Sequence, residues 1–395
     1  MSAPTIARAD LLDGLKDADL RRLTLDAMAT VDRPRRLDNI RAAGADIADR
    51  WLDFGLENRV APVVAHALLD AFGDDFLAAT RAKTLHDHEL RRMGIMLAAL
   101  DRIAARLATV GIRMVGLKNA GIARGVFDCP GCCPMGDLDV LVDRARFREA
   151  HQLILDEGFV LATRGTVESA DLEEGLEHGG TEYVAQIDGE EVWFELQWRP
   201  IAGRWIRRDQ EPDGAELIAR SVPIEGTDVR LLAPADNMIQ VALHTAKHTY
   251  VRAPGLRLHT DVDRLAQSQT PDWHAVVELA TTLEVKTATF FSFALARALL
   301  DTDVPDHVLE SLAPPLWKVT TVTNWLRRID VFYPDARKFR RPDMIAFTAL
   351  MYDDVVGLTA SVLDAERDEL RWTQLPRHLR RGVARVKDLV TRYER

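Results

Sequence analysis

The segment at residues 111–142 constrains the fold most, because two strand patterns flank a helix start within it. Residues 112–117 form a short apolar run with β-branched side chains, which predicts a buried strand. Asn119 fits the N-cap of the short helix that follows. After a turn-rich loop, residues 137–142 predict a second strand. The centre of the protein is therefore expected to alternate strands and helices.

Two carboxylates lie on the second predicted strand. Asp137 and Asp139 are two residues apart, so their side chains share one face, with Cα atoms roughly 6–7 Å apart. Like charges at this distance repel and raise each other's pKa, and a divalent cation between them removes that cost. Carboxylate oxygens suit Mg²⁺ or Mn²⁺. A solvated edge strand with alternating polar residues has the same spacing, so both interpretations stay open here.

A third carboxylate lies on the alternating pattern of residues 191–198. Trp193, Glu195 and Gln197 share one face of this predicted strand, opposite an apolar face. A charge in mid-strand has little structural purpose, which favours a functional role for Glu195. Three carboxylates on adjacent strands make the ligand set of a two-metal site, with ions roughly 3.5–4 Å apart.

The order of these motifs resembles that of the nucleotidyltransferase superfamily. The resemblance rests on Leu-Lys-Asn-Ala-Gly at residues 117–121, Gly-Asp-Leu-Asp-Val-Leu-Val at 136–142, and Phe-Glu-Leu-Gln-Trp at 194–198. The helical segments at residues 242–248 and 257–261 are also similar. The nearest branch is poorly characterised and has a Leu-Lys-Gly turn. In this chain Asn119 replaces that glycine, and its side chain could crowd a triphosphate against the turn.

This resemblance implies a metal-dependent nucleotidyltransferase that moves a nucleoside monophosphate from an NTP to an acceptor. It implies that Asp137, Asp139 and Glu195 bind Mg²⁺ or Mn²⁺ and carry the catalysis. ATP is the expected co-substrate. The acceptor is expected to be a small molecule, a peptide or a protein.

The resemblance also implies that the turn before the first helix of this core binds the nucleotide. Backbone N–H groups at Gly116, Leu117 and the helix start at Asn119 would meet the phosphates, because helix N-termini favour anions. Lys118 adds a compact, mobile cation that suits phosphate oxygens.

A second candidate for nucleotide binding lies on a predicted helix near residue 244. His244, Lys247 and His248 share one face of this helix. In one interpretation His244 and Lys247 face the triphosphate or the acceptor; in the other, the histidines only pack or lie on the surface. A zinc-protease motif would need glutamate at position 245, where this chain has threonine. Asp261 on the next predicted helix could pair with His244 or Lys247.

All three cysteines, Cys129, Cys132 and Cys133, lie in the loop before the Asp-x-Asp strand. A structural zinc site needs four ligands, and no second Cys or His pair lies at a suitable spacing in the sequence. Adjacent Cys132 and Cys133 are poor disulfide partners. We expect a loop beside the active site, with zinc or redox chemistry as the alternative.

The patterning divides the chain into three parts. Residues 1–110 have helical periodicity, with a long helix across residues 75–110 that ends at Gly111. Residues 111–234 alternate strands and helices, with an acidic, mobile loop at 168–180 and a hairpin turn at Asp188-Gly189. Residues 235–395 are helical again, beginning with a helix capped by Asp236. This predicts an α+β fold: a nucleotidyltransferase-like mixed β-sheet core flanked by N-terminal and C-terminal helical regions.

Composition limits the partners of the protein. The net charge of −10 argues against bulk binding of nucleic acid, although a nucleotide needs only a local positive site. The most apolar run, residues 288–300, is too short to cross a bilayer, and no secretory signal pattern begins the chain, so the cytoplasm is the expected location. Basic runs are expected to be solvated helix faces, with a polyanion or an acidic partner protein as the alternative; they comprise residues 337–341 and Arg377, Arg380, Arg381, Arg385 and Arg392.

Other functions remain open at this point. A catalytically inactive nucleotide- or partner-binding module of the same fold is favoured by Asn119 and disfavoured by the three carboxylates. A toxin-like, RNA-modifying nucleotidyltransferase is disfavoured by the negative charge and allowed by the basic tail. A kinase-like reaction at the same residues is a further alternative.

Overall fold

The computed structural model describes residues 5–164, 171–200, 205–206, 210–335, 338–354 and 357–359. The N-terminal region is helical, as expected. Its helices are α1 (Arg8–Leu12), α2 (Ala18–Met28), α3 (Arg33–Ala43), α4 (Ala48–Glu57), α5 (Ala61–Phe72) and α6 (Ala79–Ala108). The long helix predicted across residues 75–110 thus begins at Ala79, and Gly111 follows it with a φ of 77°.

The central region contains the strands and the helices between them. In chain order these are β1 (Met114–Gly116), α7 (Lys118–Gly125), β2 (Leu138–Leu141), α8 (Phe147–Asp156), β3 (Val160–Ala162), α9 (Leu172–His178), β4 (Gly180–Ile187), β5 (Glu190–Gln197), α10 (Gly214–Arg220), β6 (Val222–Pro223) and β7 (Val229–Leu231). They form one sheet in the order β3-β4-β5-β2-β1-β7-β6. The pairs β2–β5 and β1–β7 are parallel and the other pairs are antiparallel, so the sheet is mixed.

The C-terminal region returns to helices after β7. These are α11 (Pro234–Lys247), α12 (Arg257–Ser268), α13 (Trp273–Thr282), α14 (Lys286–Leu300), α15 (Asp306–Leu312), α16 (Leu316–Ile329) and α17 (Arg341–Leu350). This confirms the predicted α+β class, with a mixed sheet between two helical regions. The residues of the predicted basic tail, and Arg337, lie outside the described part of the chain. The domain boundaries at residues 110 and 234 stay predictions.

The centre of the sheet is covered on both faces. All residues of β1 and β2 are buried, and all of them except Asp139 are apolar or glycine. On one face Val115, Leu117 and Leu141 pack with Leu217 and Ile218 of α10. The opposite face belongs to a hydrophobic core that extends from the N-terminal helices through the sheet to the C-terminal helices.

The two helical regions also contact each other directly. The buried Arg36 of α3 donates to Asp26 Oδ1 and to Asp301 Oδ2, each at 2.7 Å. Asp301 follows α14, so this contact ties the N-terminal helices to the C-terminal ones. No helix in the described ranges combines the length and the apolar character needed to cross a membrane.

Local turn chemistry explains which predictions held. The hairpin at Asp188-Gly189 is confirmed, and both residues have positive φ values, 50° and 84°, as a two-residue hairpin turn requires. The prediction of a loop at residues 168–180 was wrong for α9. Asp171 caps that helix by accepting a hydrogen bond from the Glu173 N–H at 2.8 Å, and its Asp-x-x-Glu pattern is a helix start.

Two predicted helix caps need correction, and two short elements were not predicted. Helix α7 begins at Lys118 with Leu117 as its N-cap, so Asn119 is not the cap. Helix α11 begins at Pro234 with Ala233 as its N-cap, which places Asp236 in the first turn. Helix α10 and strand β6 were not predicted, because both are short and their apolar faces are filled only in the tertiary structure.

Candidate active site

The structure brings the three predicted carboxylates together. Asp139 of β2 and Glu195 of β5 occupy paired positions on these parallel strands. Asp137 directly precedes β2, two residues from Asp139 and therefore on the same face. One carboxylate oxygen from each of the three residues lies within 4.8 Å of the other two. This separation is compatible with shared coordination of divalent ions.

Lys118 lies inside this cluster. Its Nζ donates to Asp139 Oδ1 at 2.6 Å, and the backbone N–H of Lys118 donates to Gln240 Oε1 at 3.1 Å. The φ of Lys118 is 49°, in the left-handed region that costs an ordinary residue about 1–2 kcal/mol. Strained backbone conformations of this kind cluster at functional sites, and this one places the ammonium group against Asp139.

Gln197 is a site residue that the sequence did not single out. Its Nε2 donates to Asp139 Oδ1 at 2.9 Å, so that oxygen accepts from both Lys118 and Gln197. The sequence feature that could have identified Gln197 is its position two residues after Glu195, on the same face of the strand. Both donors hold the Asp139 carboxylate in one orientation.

Arg164 is a second site residue that the sequence patterns did not identify. Its Nη2 donates to Asp137 Oδ2 at 2.5 Å and to Glu182 Oε1 at 2.7 Å. Its guanidinium also lies over the Trp193 ring, 5.0 Å from the centroid. Arg164 follows β3 at the sheet edge, and no sequence motif links it to Asp137. The cluster thus has one cation beside each aspartate.

The three carboxyl groups of the cluster differ in the direction in which their pKa values are shifted. Burial, and then the charge of Asp139, raise the pKa of Glu195 to about 8. The pKa of Asp137 is raised for the same two reasons, although Arg164 opposes the effect. Burial also acts to raise the pKa of Asp139, but the charge of Lys118 and hydrogen bonds from Glu195 and Lys118 outweigh it and lower that pKa. Asp139 is therefore the anion of the cluster, and Glu195 holds a proton near neutral pH.

The turn before α7 is packed closely against the sheet. A Cβ on Gly121 would lie 2.4 Å from Gly116 O, and a Cβ on Gly116 would lie 2.8 Å from Gly121 Cα. Both positions therefore need glycine. The Leu117 N–H donates to Asp139 O at 2.9 Å. The N–H groups of Leu117 and Lys118 are thus already hydrogen-bonded here, and phosphate binding by this turn stays a prediction.

Asn119 points away from this turn. Its Nδ2 donates to both carboxyl oxygens of Asp261, at 3.1 and 3.2 Å, and to Cys133 Sγ at 3.4 Å. The crowding of a triphosphate by Asn119 stays a prediction. Asp261 pairs with Asn119 rather than with His244 or Lys247 in the hydrogen bonds of the described residues. Burial raises the pKa of Asp261 to about 7.

His244 lies close enough to the cluster for Lys118 and Asp139 to affect its pKa. Burial and then the charge of Lys118 lower that pKa, so the imidazole is neutral. The His244 Nδ1 atom is buried and has no hydrogen-bond partner among the described residues. Lys247 lies one turn further along α11 and is exposed. The structure thus brings His244 to the cluster and leaves Lys247 at the end of the helix.

The cysteine loop is divided between two places. Cys133 contacts Asn119 beside the site, as expected for a loop next to the cluster. Cys129 instead lies 3.3 Å, Sγ to Nε2, from His86 on α6. The cysteines therefore do not act as one group.

Comparison with known proteins agrees with the geometry. A sequence profile of a family described as uncharacterised nucleotidyltransferase matches residues 48–301, more than half of the chain. The matched range contains the turn at Lys118, the three carboxylates and helices α11 and α12. Searches of curated proteins and of solved structures find no match. On the family match, supported by the carboxylate cluster, this chain belongs to the family of uncharacterised nucleotidyltransferases.

Proposed function

We propose that the protein transfers a nucleoside monophosphate from an NTP to an acceptor, using Mg²⁺ or Mn²⁺. The observation that carries this proposal is the meeting of Asp137, Asp139 and Glu195 within 4.8 Å on adjacent strands. Family membership supports the reaction class. The metal, the nucleotide and the acceptor are the proposed part.

The donor set fits a hard divalent cation. Three carboxylates supply only oxygen ligands, which Mg²⁺ and Mn²⁺ prefer. Without a cation the cluster must keep a proton on Glu195 and recruit Lys118 and Arg164, as the raised pKa of Glu195 and the two ion pairs indicate. Asp137 and Asp139 would hold the ion that accompanies the triphosphate, and Glu195 would share a second one.

In the proposed reaction the acceptor oxygen or nitrogen attacks the α-phosphorus of the nucleotide. The bond from the α-phosphorus to the bridging oxygen breaks, and pyrophosphate leaves. Glu195 takes the proton of the attacking group at its carboxylate, which has given up its own proton once the divalent ions are bound. The Lys118 ammonium stabilises the negative charge on the phosphoryl oxygens. The divalent ions, when bound, neutralise the triphosphate and lower the pKa of the attacking group.

His244 and Asn119 have different parts in this proposal. The neutral His244 Nδ1, which has no hydrogen-bond partner in the described part of the chain, is available to a nucleotide or acceptor group that enters beside Lys118. Asn119 fixes the start of α7 to α12 through Asp261. Lys247 remains a candidate for the outer phosphates. ATP is the proposed nucleotide, and a small molecule, peptide or protein is the proposed acceptor.

The test combines pyrophosphate release with intact-mass spectrometry. The purified protein is incubated with each of the four ribonucleoside triphosphates and Mn²⁺, alone and with the small-molecule, protein or RNA fraction of a cell extract. We expect pyrophosphate release together with a nucleoside monophosphate added to one of these acceptors. Asp139→Asn should lower the rate at least about 100-fold, as loss of a charge-stabilising group typically does.

Asp143→Asn is the matched control. Asp143 follows β2, and its half-buried carboxylate accepts from the Ala145 N–H at 2.9 Å, outside the cluster. It should retain normal turnover. Nucleotide binding without pyrophosphate release from any mixture would make the protein a binding module instead. Transfer to RNA alone would favour the RNA-modifying alternative.

A further inference from the structure

A second cluster of ligand-type side chains lies outside the carboxylate site. His66 of α5, His86 of α6, Cys129 and Cys132 each place one donor atom within 4.8 Å of the others. From the sequence alone zinc was only the alternative for this loop, because no second Cys or His pair lies at a suitable spacing. The two histidines are far apart in sequence, and only the packing of α5 on α6 brings them to the cysteine loop. We propose that these four residues bind one structural zinc ion.

The cysteine pair has the form of a zinc-binding turn. Cys129-Pro-Gly-Cys132 has the two-residue spacing of such turns. Residues Pro130–Cys132 form a 3₁₀ turn, in which the Cys132 N–H donates to Cys129 O at 3.0 Å. A Cβ on Gly131 would lie 3.1 Å from Leu90 Cα, so the turn sits directly on α6. This contact sets both cysteines against the helix that carries His86.

The histidine pair completes a set of four donor atoms. The rings of His66 and His86 stack with centroids 5.1 Å apart, and His86 Nε2 lies 3.3 Å from Cys129 Sγ. Zn–S bonds of about 2.3 Å and Zn–N bonds of about 2.0–2.1 Å put tetrahedral ligand atoms roughly 3.3–3.8 Å apart. The observed separations therefore need only small side-chain rotations to close around one ion. Two neutral nitrogens and two sulfurs form a common structural zinc set.

Each histidine also has the outer carboxylate that metal-bound imidazoles use for orientation. His86 Nδ1 lies 3.4 Å from Asp87 Oδ1, and His66 Nε2 lies 3.5 Å from Asp70 Oδ2. Such partners fix the ring and raise its basicity. A chance contact between one cysteine and one histidine would not account for a group of two histidines, two cysteines and two adjacent carboxylates.

The position of the cluster suggests what the ion does. The cysteine turn lies in the connection between α7, which carries Lys118, and β2, which carries Asp139. Beyond the turn, Met135 O accepts from Arg92 Nη2 of α6 at 2.6 Å. Zinc would anchor this connection to α5 and α6, so it supports the active site without taking part in the reaction. The inference does not depend on the proposed nucleotidyl transfer.

Metal analysis of untagged protein, purified under reducing conditions without chelators, tests the proposal. We expect about one zinc ion per chain, and substitution by Co²⁺ should give the visible bands of a tetrahedral thiolate site. His86→Ala and Cys132→Ser should each lose most of the zinc. His88→Ala and Cys133→Ser are the matched controls, because His88 is exposed on the same helix and Cys133 adjoins the pair outside the cluster. Both controls should keep the ion.

A stability measurement provides a second readout besides zinc content. Removal of zinc by a strong chelator should lower the Tm of the wild type and of His88→Ala by several degrees, and added zinc should restore it. His86→Ala should not respond to either treatment. Wild-type protein that contains no zinc and whose Tm zinc does not raise would overturn the proposal. Equal zinc in wild type and Cys132→Ser, or a Cys129–Cys132 disulfide in the native protein, would overturn it too.

Discussion

Glu195 lies beside Asp139 on a neighbouring parallel strand, and the register between β2 and β5 makes the two carboxyl groups part of one cluster. A slip of one residue would turn Glu195 to the opposite face, because side chains alternate along a strand. The alternating burial of β5, with Val192, Phe194 and Leu196 in the core, prevents this slip. The core therefore fixes the position of the charged face.

The protonation of Glu195 should make divalent-metal binding depend on pH. The pKa of Glu195 is raised to about 8, so below this pH a cation must displace a proton to bind. Mn²⁺ affinity should therefore rise with pH, by roughly tenfold per unit below pH 8, and level off above it. Titration calorimetry at pH 6, 7 and 8.5 measures this slope. Glu195→Gln should bind Mn²⁺ more weakly and without this slope; equal affinity at all three pH values in the wild type would contradict the assignment.

Lys118 and Asp139 should be coupled in stability when metal is absent. Their charged atoms lie 2.6 Å apart, with Asp139 almost fully buried and Lys118 mostly so. Lys118→Met or Asp139→Asn alone leaves one charge without its partner, which should cost on the order of 3 kcal/mol of unfolding free energy. The double variant should lose less than the sum of the single losses. Urea unfolding of the four proteins measures this coupling, and strict additivity would show that the ion pair is unimportant.

Gly121 should not tolerate a methyl group. Its added Cβ would lie 2.4 Å from Gly116 O, so α7 and Lys118 would have to move from β1. Gly121→Ala should lower the unfolding free energy by about 1–3 kcal/mol. Gly94→Ala is the control, because a Cβ there meets no atom within 4 Å in the middle of α6. That variant should gain about 0.5–1 kcal/mol from its helix preference. Urea unfolding measures both variants. Equal changes in unfolding free energy for Gly121→Ala and Gly94→Ala would exclude the close approach of Gly121 to Gly116.

Asp261 should make the protein less stable as the pH rises. Its pKa is raised from 3.8 to about 7 by burial, so the folded protein keeps a proton that the unfolded chain releases above pH 4. The folded state then binds more protons, and its stability falls with rising pH until about pH 7. Asp261→Asn removes this loss. Relative to the wild type, its stability should increase from pH 5 to pH 8 by on the order of 2 kcal/mol.

Thermal and urea unfolding at both pH values measure this difference for Asp261. Asp272→Asn is a useful control for carboxylate removal, because Asp272 caps α13 at the surface. It should cost a similar amount at pH 5 and pH 8. A loss of stability in Asp261→Asn that is the same at both pH values would mean that the hydrogen bond from Asn119 matters more than burial of the charge.

Short-range patterns predicted much of this protein. The strand that contains Asp139 and directly follows Asp137, the hairpin that delivers Glu195, and most of the helices on both sides follow from periodicity and turn residues. Errors arose where local patterns had two solutions. Asn119 can cap a helix, but in the structure its amide is taken by Asp261, which the sequence could not place beside it.

Contacts between distant segments could not be predicted in this way. Arg164 meets Asp137, and His66 and His86 meet the cysteine turn, without any motif that joins them. The sequence by itself determined most of the strands and helices and which faces carry the acids, because these depend on neighbouring residues. Only the tertiary structure decided which cations and ligands accompany them, because strand order and helix packing result from burial of one shared core.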